Sequence, residues 1–243
     1  MNRLIAITSA VIFLALVAFI FFELGYVRFN YPDYEAYPVR GIDISHHQGV
    51  IDWDVLERSD IAFAFIKATE GGDHKDMKFE ENWERAGEIG LVRGAYHFFT
   101  FCKPGREQAL NFMETVPVEQ VMLPPGIDLE FSGNCQARPS KEELHKELSD
   151  FTELVRERYG RRPVLYITNE SYRAFVEGED LPYSIWIRDI YSKPKLAPGR
   201  EWTFWQYTHR GRLHGIDGFV DLNVFNGTRE YFKEVTLPLS SGY

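Results

Sequence analysis

Three short apolar runs, far apart in the chain, each set acids alternately with aliphatic or aromatic residues. They are Gly41-Ile42-Asp43-Ile44-Ser45, Gly126-Ile127-Asp128-Leu129-Glu130-Phe131 and Val220-Asp221-Leu222-Asn223-Val224. Successive side chains of a β-strand point to opposite faces, so in each run the acids share one face and the apolar residues take the other. Asp128 and Glu130 then point the same way, with Cα atoms about 6.5–7 Å apart. One such strand fits a sheet edge with solvated acids equally well. Three of them point elsewhere, because a carboxylate buried without a partner costs several kcal/mol. Strands converging on a wet pocket, with helices over their outer faces, satisfy all three at once. Carboxylates gathered in that way suit acid–base or glycosidic chemistry.

Strand-like and helix-like patterns alternate through the rest of the chain. Strands are predicted over residues 39–45, 61–68, 92–99, 126–131, 164–168, 185–189, 202–208 and 219–224. Helices are predicted over residues 52–58, 78–89, 105–115, 140–159 and 169–176. The longest of them has Ser140 as N-cap, Glu143 to complete a capping box, and Gly160 as its stop. Early β–α alternation implies parallel strands joined by right-handed crossovers. The expected fold class is therefore α/β, a closed or nearly closed β/α barrel with its site at the carboxyl ends of the strands. A chain of 243 residues with ordinary apolar content forms one such domain. It contains no internal repeat.

Residues 4–22 are apolar or small except for Thr8 and Ser9, about the length that crosses a bilayer. Arg3 precedes the run, which predicts a cytoplasmic N-terminus and an extracytoplasmic remainder, periplasmic in a Gram-negative cell. The exit, Phe21-Phe22-Glu23-Leu24-Gly25, lacks a small-x-small cleavage pattern, so an uncleaved signal-anchor is expected. The predicted organisation is a transmembrane signal-anchor at 1–24, a Tyr-, Pro- and acid-rich linker at 25–38, the barrel at 39–235 and a C-terminal tail at 236–243. A net charge of −9, with no Lys/Arg cluster, excludes a general nucleic-acid binder. A neutral or mixed-charge polymer is an easier partner.

The motifs resemble those of the glycoside hydrolase family 25 lysozymes. Gly41-Ile42-Asp43-Ile44-Ser45-His46-His47-Gln48-Gly49 is similar to that family's first strand, Ile66-Lys67-Ala68-Thr69-Glu70-Gly71 to its second and Gly94-Ala95-Tyr96-His97-Phe98 to its third. Asp128-Leu129-Glu130 resembles its catalytic Asp-x-Glu, and Trp205-Gln206-Tyr207-Thr208 and Val220-Asp221-Leu222-Asn223 its last two strands. The likeness runs from about residue 39 to 232. It implies an irregular barrel of five β/α units followed by three strands. It also implies a muramidase cleaving the β-1,4 bond between N-acetylmuramic acid and N-acetylglucosamine of peptidoglycan. Glu130 is then the general acid, Asp128 stabilises the transition state or the sugar's acetamido nucleophile, and Asp43 and Asp221 complete the acidic pocket. One departure is Arg188, two places after Trp186, where the family usually has a small residue. A catalytically silent glycan-binding module and a chitinase-like hexosaminidase remain as alternatives.

The residues themselves support that assignment. Crowded carboxylates raise one pKa at the expense of the others, and Glu130, between Leu129 and Phe131, is expected to hold its proton while Asp128 stays ionised. Two acids on one strand fall between the retaining and inverting separations, so the stereochemical outcome stays open. Tyr96, Tyr166 and Trp205 are candidate sugar platforms, or plain core. Lys67 and Glu70 are candidate pocket residues, or a surface ion pair, and Gln206 is a candidate acetamido partner. His46, His47 and His97 lack metal-ligand spacing, and neither a metal nor another cofactor is expected. Cys102 and Cys135 fall just beyond neighbouring strands, close enough for a disulfide in an oxidising compartment.

Overall fold

The computed structural model describes residues 2–237, so the expected tail lies almost wholly outside the described residues. Five β/α units come first: β1 Arg40–Ile44 with α2 Trp53–Leu56, β2 Phe63–Glu70 with α3 Phe79–Glu88, and β4 Val92–Phe98 with α4 Gly105–Thr115. They continue with β5 Gly126–Leu129 and α5 Lys141–Tyr159, then β6 Val164–Thr168 with the one-turn α6 Asn169–Ser171, extended by a π-turn at Tyr172–Val176. Strands β7 Ser184–Arg188, β8 Phe204–Gly211 and β9 Val220–Phe225 follow. The helix α1 Asn2–Glu23 precedes them all.

Seven parallel strands run in the order β1, β2, β4, β5, β6, β7, β8, and β9 closes the barrel by pairing antiparallel with both β8 and β1. Period-two alternation divides their side chains into two layers. Ile42, Ile44, Ala64, Ile66, Ile127, Leu129, Leu165, Ile167, Ile185 and Ile187 face outward under the helices. Phe63, Phe65, Val164, Trp186, Phe204 and Phe225 fill the barrel interior. Glycines make room for these rings: a Cβ on Gly41 would lie 2.3 Å from the Phe63 ring, and one on Gly94 2.8 Å from Phe65. The floor of the barrel is therefore a plug of aromatic rings, and a pocket can exist only above it.

Two short elements were not expected. β3, His74–Lys75, is a two-residue hairpin arm paired with β2, too short to show alternation. The helix α7 Arg229–Val235 brings Phe232 beneath the barrel, 5.5 Å from Phe63 and 5.2 Å from Phe225 between ring centroids. Its apolar stripe is a single deeply buried residue, which gives helical periodicity little to report.

Residues 25–38, expected as a linker, lie against the barrel. Asn30 Nδ2 donates to Asp189 O at 3.1 Å and Arg40 Nη2 to Pro32 O at 3.2 Å. The Tyr37 ring meets Trp202 and Trp205 at 5.6 and 6.2 Å. This strap descends the outer wall from the pocket end to the start of β1. The wall needs it: among the described residues no crossover helix follows β8, and Trp202, Trp205 and Tyr207 turn apolar surface outward there. Beyond the strap, residues Arg3–Glu23 of α1 are long and apolar enough to cross a membrane, with a mean hydropathy of 2.9 over an 18-residue window, none of which is buried in the protein.

Candidate active site

A cavity of about 260 Å³ opens at the carboxyl ends of the parallel strands. Asp43, Asp128, Glu130 and Asp221 line it together with Tyr96, Ser132, Tyr166, Trp186, Arg188, Gln206 and His209. Register explains the gathering. Asp43 of β1 stands opposite Asp221 of β9, Asp128 of β5 opposite Tyr166 of β6, and Arg188 of β7 opposite Gln206 of β8. Glu130 follows the end of β5 and keeps the facing set by Asp128. A second cavity of about 440 Å³ adjoins the first, with Glu130, Ser132 and Arg188 lining both. Together they form a groove along the rim suited to an extended ligand.

A buried polar network fixes the pocket's floor. Asp43 Oδ2 accepts from Gln206 Nε2 at 3.0 Å and from Asn223 Nδ2 at 2.7 Å. Tyr166 Oη donates to Gln206 Oε1 at 2.9 Å, and Trp186 Nε1 donates to Asn223 Oδ1 at 2.8 Å. Each amide thus has its oxygen held by an aromatic donor, which turns its NH₂ toward Asp43. These bonds favour the Asp43 carboxylate, yet burial outweighs them and pushes its pKa up to about 6.

The other acids are also raised. Burial lifts Asp221 well above the ordinary carboxylate range, with Asp43 adding to the effect. It lifts Asp128 well above that range too, reinforced by the charge of Glu130. Glu130 is raised by burial, against the opposing positive charge of Arg188. Burial and the Glu130 charge both work against the ionised form expected of Asp128. The cause is local, since Asp128 Oδ1 is buried with no hydrogen-bond donor among the described residues. Neighbouring acids titrate as a unit, so the Asp128–Glu130 pair holds protons jointly.

Tyr96 and Tyr166 line the pocket as expected, and burial raises both phenols well above their ordinary value. Gln206 is there too, with its oxygen and one amide hydrogen already engaged by Tyr166 and Asp43. Trp205 is not. Alternation sends it outward when Gln206 points inward, and its Nε1 donates to Asp189 O at 2.8 Å under the strap. Lys67 and Glu70 pair with each other at 2.8 Å beside the pocket without lining it. The Lys67 charge still favours the ionised forms of Asp128 and Glu130. His97 faces the outer layer, bonded to Thr69 and Gln108, and His46 bonds Asp76.

Trp186, Ser132 and His209 of the pocket, and Asn223 of its polar network, lie outside the residues expected from sequence. Trp186 and Asn223 carried a signal, each two places from a pocket residue on its own strand. His209 carried none, because the register of β8 shifts after Gln206 and breaks the alternation. Cys102 and Cys135 form the expected disulfide, with Cα atoms 6.3 Å apart. Beside it, Asn134 Nδ2 donates to the backbone oxygens of Phe99 and Glu130, both at 2.9 Å. The loops after β4 and β5 are thereby braced where Glu130 emerges.

The family described as Glycosyl hydrolases family 25 matches residues 42–216, which span all four pocket acids but Asp221. The chain belongs to this family. A family 25 glycosyl hydrolase from Bacillus anthracis superposes with a TM-score of 0.81 at 40% identity, covering 87% of this chain and 98% of the other. The bacterial lysozyme of Streptomyces coelicolor gives a TM-score of 0.75 at 32% identity, over 82% and 96% of the two chains. Lysozyme M1 of Streptomyces globisporus is 34% identical over 201 residues, 78% of this chain and 68% of its own. This family 25 member is therefore a glycoside hydrolase of the lysozyme group.

Proposed function

We propose that this family 25 hydrolase is a muramidase that cuts the β-1,4 bond between N-acetylmuramic acid and N-acetylglucosamine in peptidoglycan. The observation that carries the mechanism is the buried, donorless Asp128 Oδ1 beside Glu130. In the free pocket the pair shares its protons. A bound sugar whose acetamido N–H reaches Asp128 supplies the missing donor, which stabilises the Asp128 carboxylate and leaves a proton on Glu130. Glu130 then protonates the departing glycosidic oxygen, while the acetamido oxygen, oriented by Asp128, or the Asp128 charge itself supports the developing oxocarbenium centre. Asp43 and Asp221 complete the polar wall around that centre, Asp43 with a carboxylate held by Gln206 and Asn223. The tyrosines Tyr96 and Tyr166 offer aromatic surface to the sugar rings. Membrane anchoring through α1, with the barrel outside the cytoplasm, belongs to the same proposal.

The test uses the full-length protein in detergent with purified peptidoglycan and, separately, chitin. New muramic-acid reducing ends with wild-type protein, absent with Glu130→Gln of unchanged melting temperature, are the expected result. Preferential chitin cleavage, binding without cleavage, or near-normal turnover by Glu130→Gln would each reject the proposal.

A further inference from the structure

The exit of α1 is fastened to the rim of the active-site mouth. Arg210, the residue after the pocket-lining His209, forms an ion pair with Glu23 at 2.9 Å and places its guanidinium 5.1 Å from the Phe22 ring. Arg212 Nε donates to Leu24 O at 2.7 Å. Across the mouth, Phe29 meets Tyr191, which lines the second cavity, at 5.4 Å. Gly25 makes the close approach possible: its φ is +73°, and a Cβ there would lie 2.5 Å from Arg210 O and 2.8 Å from the Phe219 ring. The β8–β9 turn that receives these contacts belongs to the pocket end of the barrel, because β8 runs parallel to the strands whose carboxyl ends carry the acids.

A fourteen-residue flexible tether would let the barrel range about 20 Å from the membrane on average. Here those residues are committed to the barrel wall instead, so no slack remains between helix and mouth. We propose that this clamp holds the mouth at the bilayer surface, and that the substrate it selects is a glycan strand still tethered to the membrane by a lipid at one end. The inference rests on the anchored-muramidase reading above. A glycan fixed in the same bilayer is presented at high effective concentration to a mouth held at that height, and this advantage disappears when the mouth is free to tilt away.

The experiment compares two glycans of equal length, one lipid-linked in the same proteoliposomes as the full-length enzyme and one lipid-free in solution. Two variants release the clamp while leaving every pocket-lining side chain in place: Gly25→Val, and Arg210→Ala with Arg212→Ala. Both are expected to lose about tenfold in rate on the lipid-linked strand while hydrolysing the soluble one as wild type does. Wild-type rates on the lipid-linked strand in both variants would overturn the proposal, as would equal losses on both substrates. Carbonate extraction of the wild type from the vesicles would remove the anchor and the proposal with it. Failure of the wild type on both glycans would instead reject the muramidase reading.

Discussion

Asn223 donates to Asp43 at 2.7 Å across the seam where β9 closes the barrel on β1. The same side chain accepts from Trp186 at 2.8 Å, so one amide joins an acid of the pocket to a ring of its floor. Replacing it as Asn223→Leu withdraws a donor from the Asp43 carboxylate and strands the Trp186 N–H. The Asp43 pKa, already pushed up to about 6, is expected to rise further, as seen by carboxyl-carbon NMR titration. Stability should fall by about 2 kcal/mol in denaturant melts. An unmoved Asp43 titration would show that the bond carries no weight.

Trp205 separates wall from pocket. It is buried beneath Tyr37 and Trp202, outside the cavity. Trp205→Leu is expected to cost about 2–4 kcal/mol of stability and leave KM for glycan unchanged. A large rise in KM at intact stability would return Trp205 to the substrate.

What could be read in the sequence was what a period of two reports. Asp43, Asp128, Glu130 and Asp221 were legible because each alternates with aliphatic or aromatic neighbours on one strand. The capping box of Ser140 and Glu143 and the left-handed Gly160 were legible because caps are local chemistry. Of the two readings open for Trp205, the structure takes plain core, because an aromatic residue beside Gln206 has the right composition for a platform but the wrong parity. His209 was missed because a bulge in β8 resets the parity. The strap reads as a linker in sequence because its contacts, such as Asn30 to Asp189, join residues 159 apart. The proton balance of Asp128 was beyond sequence for a different reason: it depends on a donor that neighbouring strands do not supply.

The Cys102–Cys135 bridge closes a loop with a sequence separation of 33. Loop-closure entropy assigns such a bridge about 3–4 kcal/mol. Reduction, or a double Cys→Ser substitution, should lower Tm by about 10 °C in calorimetry. Activity should fall below the melting range as well, because the bridged loops carry Glu130 and its backbone partner Asn134. Unchanged Tm would mean that the loop is held by its other contacts.

Stability should decline as the medium moves from mildly acidic toward neutral. Asp43 binds its proton more tightly in the folded chain than in the unfolded one, with a pKa of about 6 against an ordinary 3.8. Between those values the folded state holds more protons, so the unfolding free energy falls as pH rises. The contribution is complete below about pH 4, lost through about pH 6, and bounded at about 3 kcal/mol. Asp43→Asn should flatten that part of the profile in denaturant melts across pH. A wild-type slope in the variant would assign the effect to the remaining acids.

Arg188 opposes the pocket's acids, and its positive charge lowers the proton affinity of Asp43, Asp128, Glu130 and Asp221 alike. A general acid must be protonated to act, so the alkaline limb of the rate profile follows loss of the proton from Glu130. Removing the cation as Arg188→Ala raises the Glu130 pKa, and the alkaline limb of kcat/KM is expected to move to higher pH by up to about one unit. Arg188→Lys keeps the charge and should leave the limb near its wild-type position while losing the planar guanidinium. The comparison separates charge from shape: a shift in alanine alone identifies an electrostatic role, and equal shifts in both variants would show that Arg188 acts on the groove by its form. An unmoved limb in alanine would break the link between Arg188 and the proton on Glu130.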